Sequence, residues 1–245
     1  MASTLKNPNL AMRTAFFLLI LSLTATAAEK STRTCRILFI AAPESALKTL
    51  FLFDGQTAQE VELARMGFSP IYKVSSQAVS LALLPTAPPP ATAAASVVPA
   101  GAPTVGIASS IRDFYLIVTS DAANLVAPVK MQVVDANAAN FKPGQMLWFN
   151  LTQNKVGGTV GTRKLLINPN SRVILEEPAN RLEEYHVNIQ FVAPGTERPE
   201  PLCETNWSHD PRSRSVLFVF QSPGSVVPRI QGFPDYRDAD PATKN

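Results

Sequence analysis

The sequence predicts an all-β protein, an antiparallel β-sandwich, from three observations. About twelve short apolar or alternating runs follow one another along the chain, separated by turn-forming residues. No stretch shows the apolar period of a helix of normal length. The clearest run, residues 184–192, alternates apolar side chains from Tyr185 to Phe191 with polar ones from His186 to Gln190, which is the period of a pleated strand.

The first half of the chain carries five of these runs. They are residues 36–42, 48–53, 59–65, 71–74 and 78–84. Asp54 and Gly55 separate the second run from the third, and this dipeptide favours a hairpin because both central turn positions require positive φ.

Residues 85–110 change in composition and predict a long Pro/Ala-rich loop. Proline lacks the N–H that a strand ladder needs, and alanine lacks the volume to build a core. We interpret the stretch as a flexible insertion within one sandwich domain that spans residues 29–245. Two alternatives remain, a linker between two domains and a docking site for a partner that recognises proline.

The strands resume after this insertion. The predicted runs are residues 113–119, 129–134, 146–152, 163–168, 172–176, 184–192 and 215–221. Residues 141–178 are interpreted as a three-strand meander that starts at a Pro143–Gly144 type II turn, with a glycine-containing loop or bulged hairpin at 153–161. Residues 228–245 are expected to form an extended surface tail that frays.

The N-terminus predicts export. Lys6 and Arg13 precede an apolar run at residues 14–23, and small residues at 24–28 suit cleavage, so residues 1–28 are interpreted as a signal peptide. The run is about half of the ~20 residues that cross a bilayer, and no comparable run follows. We expect a secreted or periplasmic protein with no membrane span after cleavage.

Composition excludes two classes of protein. A chain that is 46% hydrophobic and 17% charged is not disordered by charge. Of the 22 Lys and Arg residues, Lys6 and Arg13 lie in the predicted signal peptide, which leaves 20 against 19 Asp and Glu and a net charge of +1. A protein with so small a net charge has no strong positive electrostatic potential to attract a phosphate backbone, so nucleic acid is not an expected partner.

Cys35 and Cys203 are the chain's two cysteines, and in an exported protein they predict a disulfide. Trp148 lies between them, which resembles the immunoglobulin arrangement. Their separation far exceeds a single domain of ~100 residues, however, so the likeness is immunoglobulin-like in architecture only.

The chemistry that the sequence offers is sparse. His186 and His209 are its two histidines; the first lies on a polar strand face, and the second lies beside Ser208 and Asp210, whose adjacency does not make a relay. No ligand spacing indicates a metal, and the glycines of residues 155–164 fail the phosphate-loop pattern. We therefore expect no catalytic residues, no metal and no cofactor.

Two functions fit these observations. The first is a non-catalytic module of the cell envelope or extracellular space with a structural or protein-binding role. The second is a carbohydrate or small-ligand binder that uses exposed aromatic residues, for which the candidates are Trp148, Trp207, Phe233 and Tyr236. Clustering of Trp207 with Tyr236 in one concave patch would favour the ligand binder, and a cleft that joins His209, a carboxylate and a serine would favour a hydrolase.

Overall fold

The computed structural model describes residues 32–88, 98–222 and 224–236. These ranges contain sixteen strands and no helix, which confirms the predicted all-β, sandwich-like fold class. No helix capable of spanning a membrane therefore occurs in them. The predicted signal peptide, part of the Pro/Ala-rich stretch and the last nine residues lie outside the described residues.

The strands are numbered in chain order. They are β1 (Thr32–Phe39), β2 (Thr49–Phe53), β3 (Ala58–Glu62), β4 (Tyr72–Ser75), β5 (Ser80–Leu84), β6 (Thr104–Gly106), β7 (Asp113–Ser120), β8 (Val129–Asp135), β9 (Met146–Asn150), β10 (Lys155–Val160), β11 (Arg163–Ile167), β12 (Ser171–Leu175), β13 (Glu183–Val192), β14 (Glu200–His209), β15 (Ser213–Phe220) and β16 (Arg229–Tyr236).

The strands form four sheets of four strands each. Sheet I has the order β3-β2-β5-β6, sheet II β4-β1-β7-β8, sheet III β12-β9-β15-β16 and sheet IV β11-β10-β13-β14. Apolar side chains fill three cores, between sheets I and II, between II and III, and between III and IV. The sheets are thus stacked in the order I, II, III, IV, and strands such as β9 are apolar along both faces because both faces are covered.

The two halves of the chain repeat one topology. Adding eight to each strand number of sheets II and I gives the strand orders of sheets III and IV. The parallel pairing recurs as well, since β1 runs parallel to β7 and β9 runs parallel to β15. We call β1–β8 the N-terminal repeat and β9–β16 the C-terminal repeat. They pack through sheets II and III, and the prediction of one domain over 29–245 stays a prediction.

A buried ionic cluster joins the repeats. Asp235 on β16 is 1% exposed and accepts hydrogen bonds from Arg36 on β1, from the Tyr115 hydroxyl on β7 and, at 3.0 Å, from Arg214 on β15. Arg214 also donates to the Phe141 carbonyl at 3.0 Å. Because the carboxylate of one repeat is held by side chains of both, the cluster fixes how sheets II and III face each other.

The predicted three-strand meander at 141–178 is wrong. β9 and β12 pair in sheet III, whereas β10 and β11 form a hairpin in sheet IV, and β10 occupies most of the predicted loop. Gly158 has φ +147°, and a Cβ there would lie 2.0 Å from the Asn188 carbonyl oxygen on β13. Gly158 therefore permits close strand approach, whereas Gly161, with φ +58°, lies in the turn between β10 and β11, so of the two alternatives predicted for 153–161 the structure contains the hairpin.

Two segments expected to be irregular contain strands. β6 lies within residues 85–110 and pairs with β5, so the prediction of a loop over this whole stretch is wrong at residues 104–106. β16 lies within the predicted fraying tail of 228–245 and pairs with β15 over its whole length. The tail is ordered there because Phe233 and Asp235 are buried between the repeats.

The predicted disulfide between Cys35 and Cys203 is absent from the structure, which describes both residues. Cys35 packs in the core between sheets I and II, and Cys203 packs against the core between sheets III and IV. Sheet III separates the sheets that carry them, which places the sulfurs on the order of 20 Å apart at sheet spacings of ~10 Å. A disulfide tolerates Cα atoms no more than about 7 Å apart.

Candidate ligand-binding cleft

A cleft of about 600 Å³ opens between β14, the edge of sheet IV, and β16, the edge of sheet III. Its walls come from five strands of the C-terminal repeat and the turn after β14. They comprise Met146, Tyr185, Asn206, Trp207, Ser208, His209, Asp210, Ser213, Ser215, Leu217, Ile230, Gly232, Phe233, Pro234 and Tyr236. The volume lies within the roughly 300–1,000 Å³ of small-molecule sites.

The N-terminal repeat closes the equivalent position. Its edge strands corresponding to β14 and β16 are β6 and β8, and these two contact each other directly. β6 has three residues where β14 has ten. The cleft therefore distinguishes one repeat from the other, and it does not follow from the shared topology.

Trp207 forms the aromatic wall of the cleft. Its ring stacks on Trp148 with centroids 5.9 Å apart and an interplanar angle of 17°, and Tyr185 meets it edge-on at 6.5 Å. Trp148 is 0% exposed and stacks behind Trp207, so the expectation that its ring is exposed is wrong, and its ring instead supports that of Trp207.

Three of the four aromatic candidates line this one cleft. Trp207 is half-buried, and Tyr236 on the opposite wall is 57% exposed. Phe233 is nearly buried because most of its ring packs in the core between sheets II and III. The concave clustering of Trp207 with Tyr236 is the arrangement that favours ligand binding.

His209 is the buried polar group of the cleft, at 5% exposure. Its Nε2 atom has no hydrogen-bond partner among the described residues. Burial lowers the pKa of His209 below its usual value, although the negative charges of Glu177, Asp210 and Glu183 act in the opposite direction. The imidazole is therefore neutral at neutral pH.

Asp210 lies beside His209, and its negative charge is paired with Arg212. Arg212 donates to its carboxylate from Nε at 3.0 Å and from Nη2 at 2.8 Å, and these bonds hold the pKa of Asp210 at about 2. Tyr185 is uncharged at neutral pH, because burial raises its pKa to about 12. The cleft thus offers hydroxyl, amide and imidazole groups and no unpaired charge among its lining residues.

The groups needed for hydrolysis meet here without forming a relay. Ser213 and Ser215 on β15 line the cleft together with His209 and Asp210. Across the described ranges, however, the hydrogen bonds include none between His209 and a serine or a carboxylate, and a catalytic relay requires that alignment. The other histidine, His186, is exposed on β13 beside Asn206. No cluster of three or more candidate metal ligands occurs in the described residues.

The sequence contains two Asn-x-Ser/Thr glycosylation sequons, at Asn150 and Asn206, and they differ in position. Asn150 is fully buried and donates to the carbonyls of Asn154 at 2.7 Å and Asn168 at 3.0 Å. Asn206 is exposed and lines the cleft. Of the two, only Asn206 has a side chain that a modifying enzyme could reach in the folded chain.

Sequence reasoning missed Tyr185 and His209 as members of this site. The segment that holds His209 reads as a loop because of its polar residues, yet it belongs to β14. A strand assignment would have placed Trp207 and His209 on one face, since residues two apart share a side, with Tyr185 opposite Trp207 across the ladder. Strand alternation was the signal that could have found them.

The described residues form a tandem of two β-sandwich-like repeats, and the second repeat carries a cleft of small-molecule size. The chain matches no known protein-family model, and no curated protein is significantly similar to it.

Proposed function

We propose that this protein is a non-catalytic binding module that holds a small neutral ring ligand, such as a sugar, in the cleft between β14 and β16. The observation that carries the proposal is the meeting of Trp207 and Tyr236 across one concave space. The flat apolar face of a sugar ring stacks on such aromatic rings.

The electrostatics of the cleft support a neutral ligand. Asp210 is the one formally charged residue in its lining, and Arg212 pairs with it. The serines, Asn206 and His209 supply polar groups that can orient a ligand beside the aromatic and aliphatic side chains of the cleft. Together with the predicted signal peptide at 1–28, this chemistry suits a glycan met outside the cytoplasm.

A structural or protein-binding role in the cell envelope is the competing proposal. It would be served by a flat surface with few aromatic residues, and the cleft is neither flat nor poor in them. The ligand-binding role therefore accounts better for the concave shape and the aromatic lining of the cleft in the C-terminal repeat.

The test uses the two tryptophans of the chain, which form the stacked pair beside the cleft. Titration with the methyl glycosides of glucose, galactose, mannose and N-acetylglucosamine should change the intrinsic fluorescence and raise the melting temperature for at least one of them. Trp207→Ala should abolish the rise, while Trp207→Phe should keep part of it because a flat ring remains.

Tyr72→Ala provides the matched control, at a half-buried aromatic residue on β4 of the N-terminal repeat. It should leave the ligand-induced rise unchanged. The proposal fails if no glycoside binds, or if Trp207→Ala binds as tightly as the wild-type protein.

A further inference from the structure

The Nε2 atom of His209 is a buried polar atom of the cleft that makes no hydrogen bond to any described residue. His209 is 5% exposed, and its ring lines the cleft. Buried polar side-chain atoms are nearly always hydrogen-bonded, so an exception on a residue that lines a cavity marks a place where a water or a ligand group can complete the bonding.

The backbone fixes His209 beside the aromatic wall. On β14 it lies two residues after Trp207 and on the same strand face, at a spacing of about 7 Å. Its backbone is paired with Glu183 on β13, and the Tyr185 ring meets the imidazole edge-on at 6.4 Å. A ring stacked on Trp207 therefore lies next to the imidazole.

The surrounding charges limit what the ligand group can be. Glu177, Asp210 and Glu183 all place negative charge near the imidazole, and the nearby Arg212 is held by Asp210. An anionic group would meet repulsion with no available cation, whereas a hydroxyl group can donate to or accept from a neutral imidazole.

We propose that His209 makes this cleft selective for hydroxylated ring ligands, by sharing a hydrogen bond between Nε2 and one ligand hydroxyl while the ring stacks on Trp207. The inference rests on the proposed function, and it identifies His209 as the residue that forms the hydrogen bond to the ligand. A site built to bond a hydroxyl group rejects the analogue that lacks it far more strongly than an apolar pocket does.

Calorimetric titration with the methyl glycoside that binds, and with its 2-, 3-, 4- and 6-deoxy analogues, tests this role. Loss of one particular hydroxyl should weaken binding to the wild-type protein by about tenfold or more. His209→Phe should bind the parent glycoside with the same weakened affinity and should no longer distinguish the two ligands. His209→Gln, which keeps an amide near the Nε2 position, should recover most of the affinity.

His209→Asn is a second loss variant in case His209→Phe does not fold, because its shorter amide does not reach the Nε2 position. His186→Phe, at the exposed histidine, should change nothing. Parent-glycoside affinity that is unchanged in His209→Phe or His209→Asn would overturn the inference, while the loss in Trp207→Ala would still support the proposed function. Absence of binding by every glycoside would overturn both.

Discussion

Asp235 is the residue on which the packing between the repeats depends most. Its carboxylate is buried and accepts hydrogen bonds from Arg36, Arg214 and Tyr115. Removing one partner of such a cluster leaves uncompensated charge in a place that water does not reach, which costs more than the cluster itself contributes.

We expect Asp235→Ala to lower the free energy of unfolding by about 3–5 kcal/mol, because two guanidinium groups lose their buried counterion. Urea denaturation of variant and wild type measures this loss. Asp210→Ala is the control, since Arg212 of its ion pair is largely exposed and solvent screens the interaction. If the two substitutions lowered the free energy of unfolding equally, the Asp235 cluster would not be a main contributor to the packing between the repeats.

His209 gives the protein a specific response to acid. Its folded-state pKa lies below the unfolded value of about 6.5, so the unfolded chain binds the proton more readily. The associated stability is fully present above about pH 6.5 and is lost as the pH falls through the folded pKa.

We therefore expect the melting temperature of the wild-type protein to decline as the pH falls below about 6.5, and His209→Gln to remove that part of the decline. Melting curves at closely spaced pH values measure it, with His186→Gln as the matched control. A decline that persists unchanged in His209→Gln would show that another group titrates. The loss linked to Asp210 belongs to a lower range, between about pH 4 and its folded pKa of about 2.

At the scale of elements, two sequence patterns predicted strands: alternating apolar and polar side chains where one face of the strand is exposed to solvent, and short apolar runs where both faces are buried. The predicted 184–192 corresponds to β13 (Glu183–Val192), and 113–119 corresponds to β7 (Asp113–Ser120). β6, β10, β14 and β16 were missed because glycine, proline and polar residues hide their period. Hydrogen bonding to adjacent strands stabilises these segments as strands: β10 lies between β11 and β13, and β16 pairs with β15.

The order of the sheets keeps the two cysteines apart, because sheet III lies between the sheet that carries Cys35 and the sheet that carries Cys203. We expect a reducing agent to leave the melting temperature unchanged, and both thiols to react with a colorimetric thiol reagent in guanidinium without prior reduction. Cys35→Ser and Cys203→Ser, each in turn, assign the signals. A reductant-dependent melting temperature in the purified protein would contradict the separation of these sheets.

At the scale of the whole molecule, two copies of one topology share a middle core. Residues of sheets II and III interdigitate there, including Ile117 from one repeat and Phe218 from the other. Burial of so much apolar surface, together with the Asp235 cluster, couples the folding of the repeats. The divergence of the copies at β14 and β16 leaves the cleft between these two strands, so the proposed ligand-binding function belongs to the second repeat.

We expect the repeats to unfold in a single transition. Both tryptophans, Trp148 and Trp207, lie in the C-terminal repeat, so their fluorescence reports that repeat while far-ultraviolet circular dichroism reports both. The two midpoints in urea should coincide. Separate midpoints would mean that the repeats unfold independently, against the prediction of one domain.

The sequence by itself determined the fold class, because side-chain alternation and turn residues act over a few neighbouring positions. It also identified Trp207 and Tyr236 as aromatic residues available for a ligand. Only the tertiary structure decided the duplication, the pairing of Asp235 and the cleft that brings His209 beside Trp207. These depend on which strands become neighbours, and that follows from burial summed over the whole chain and not from any local pattern.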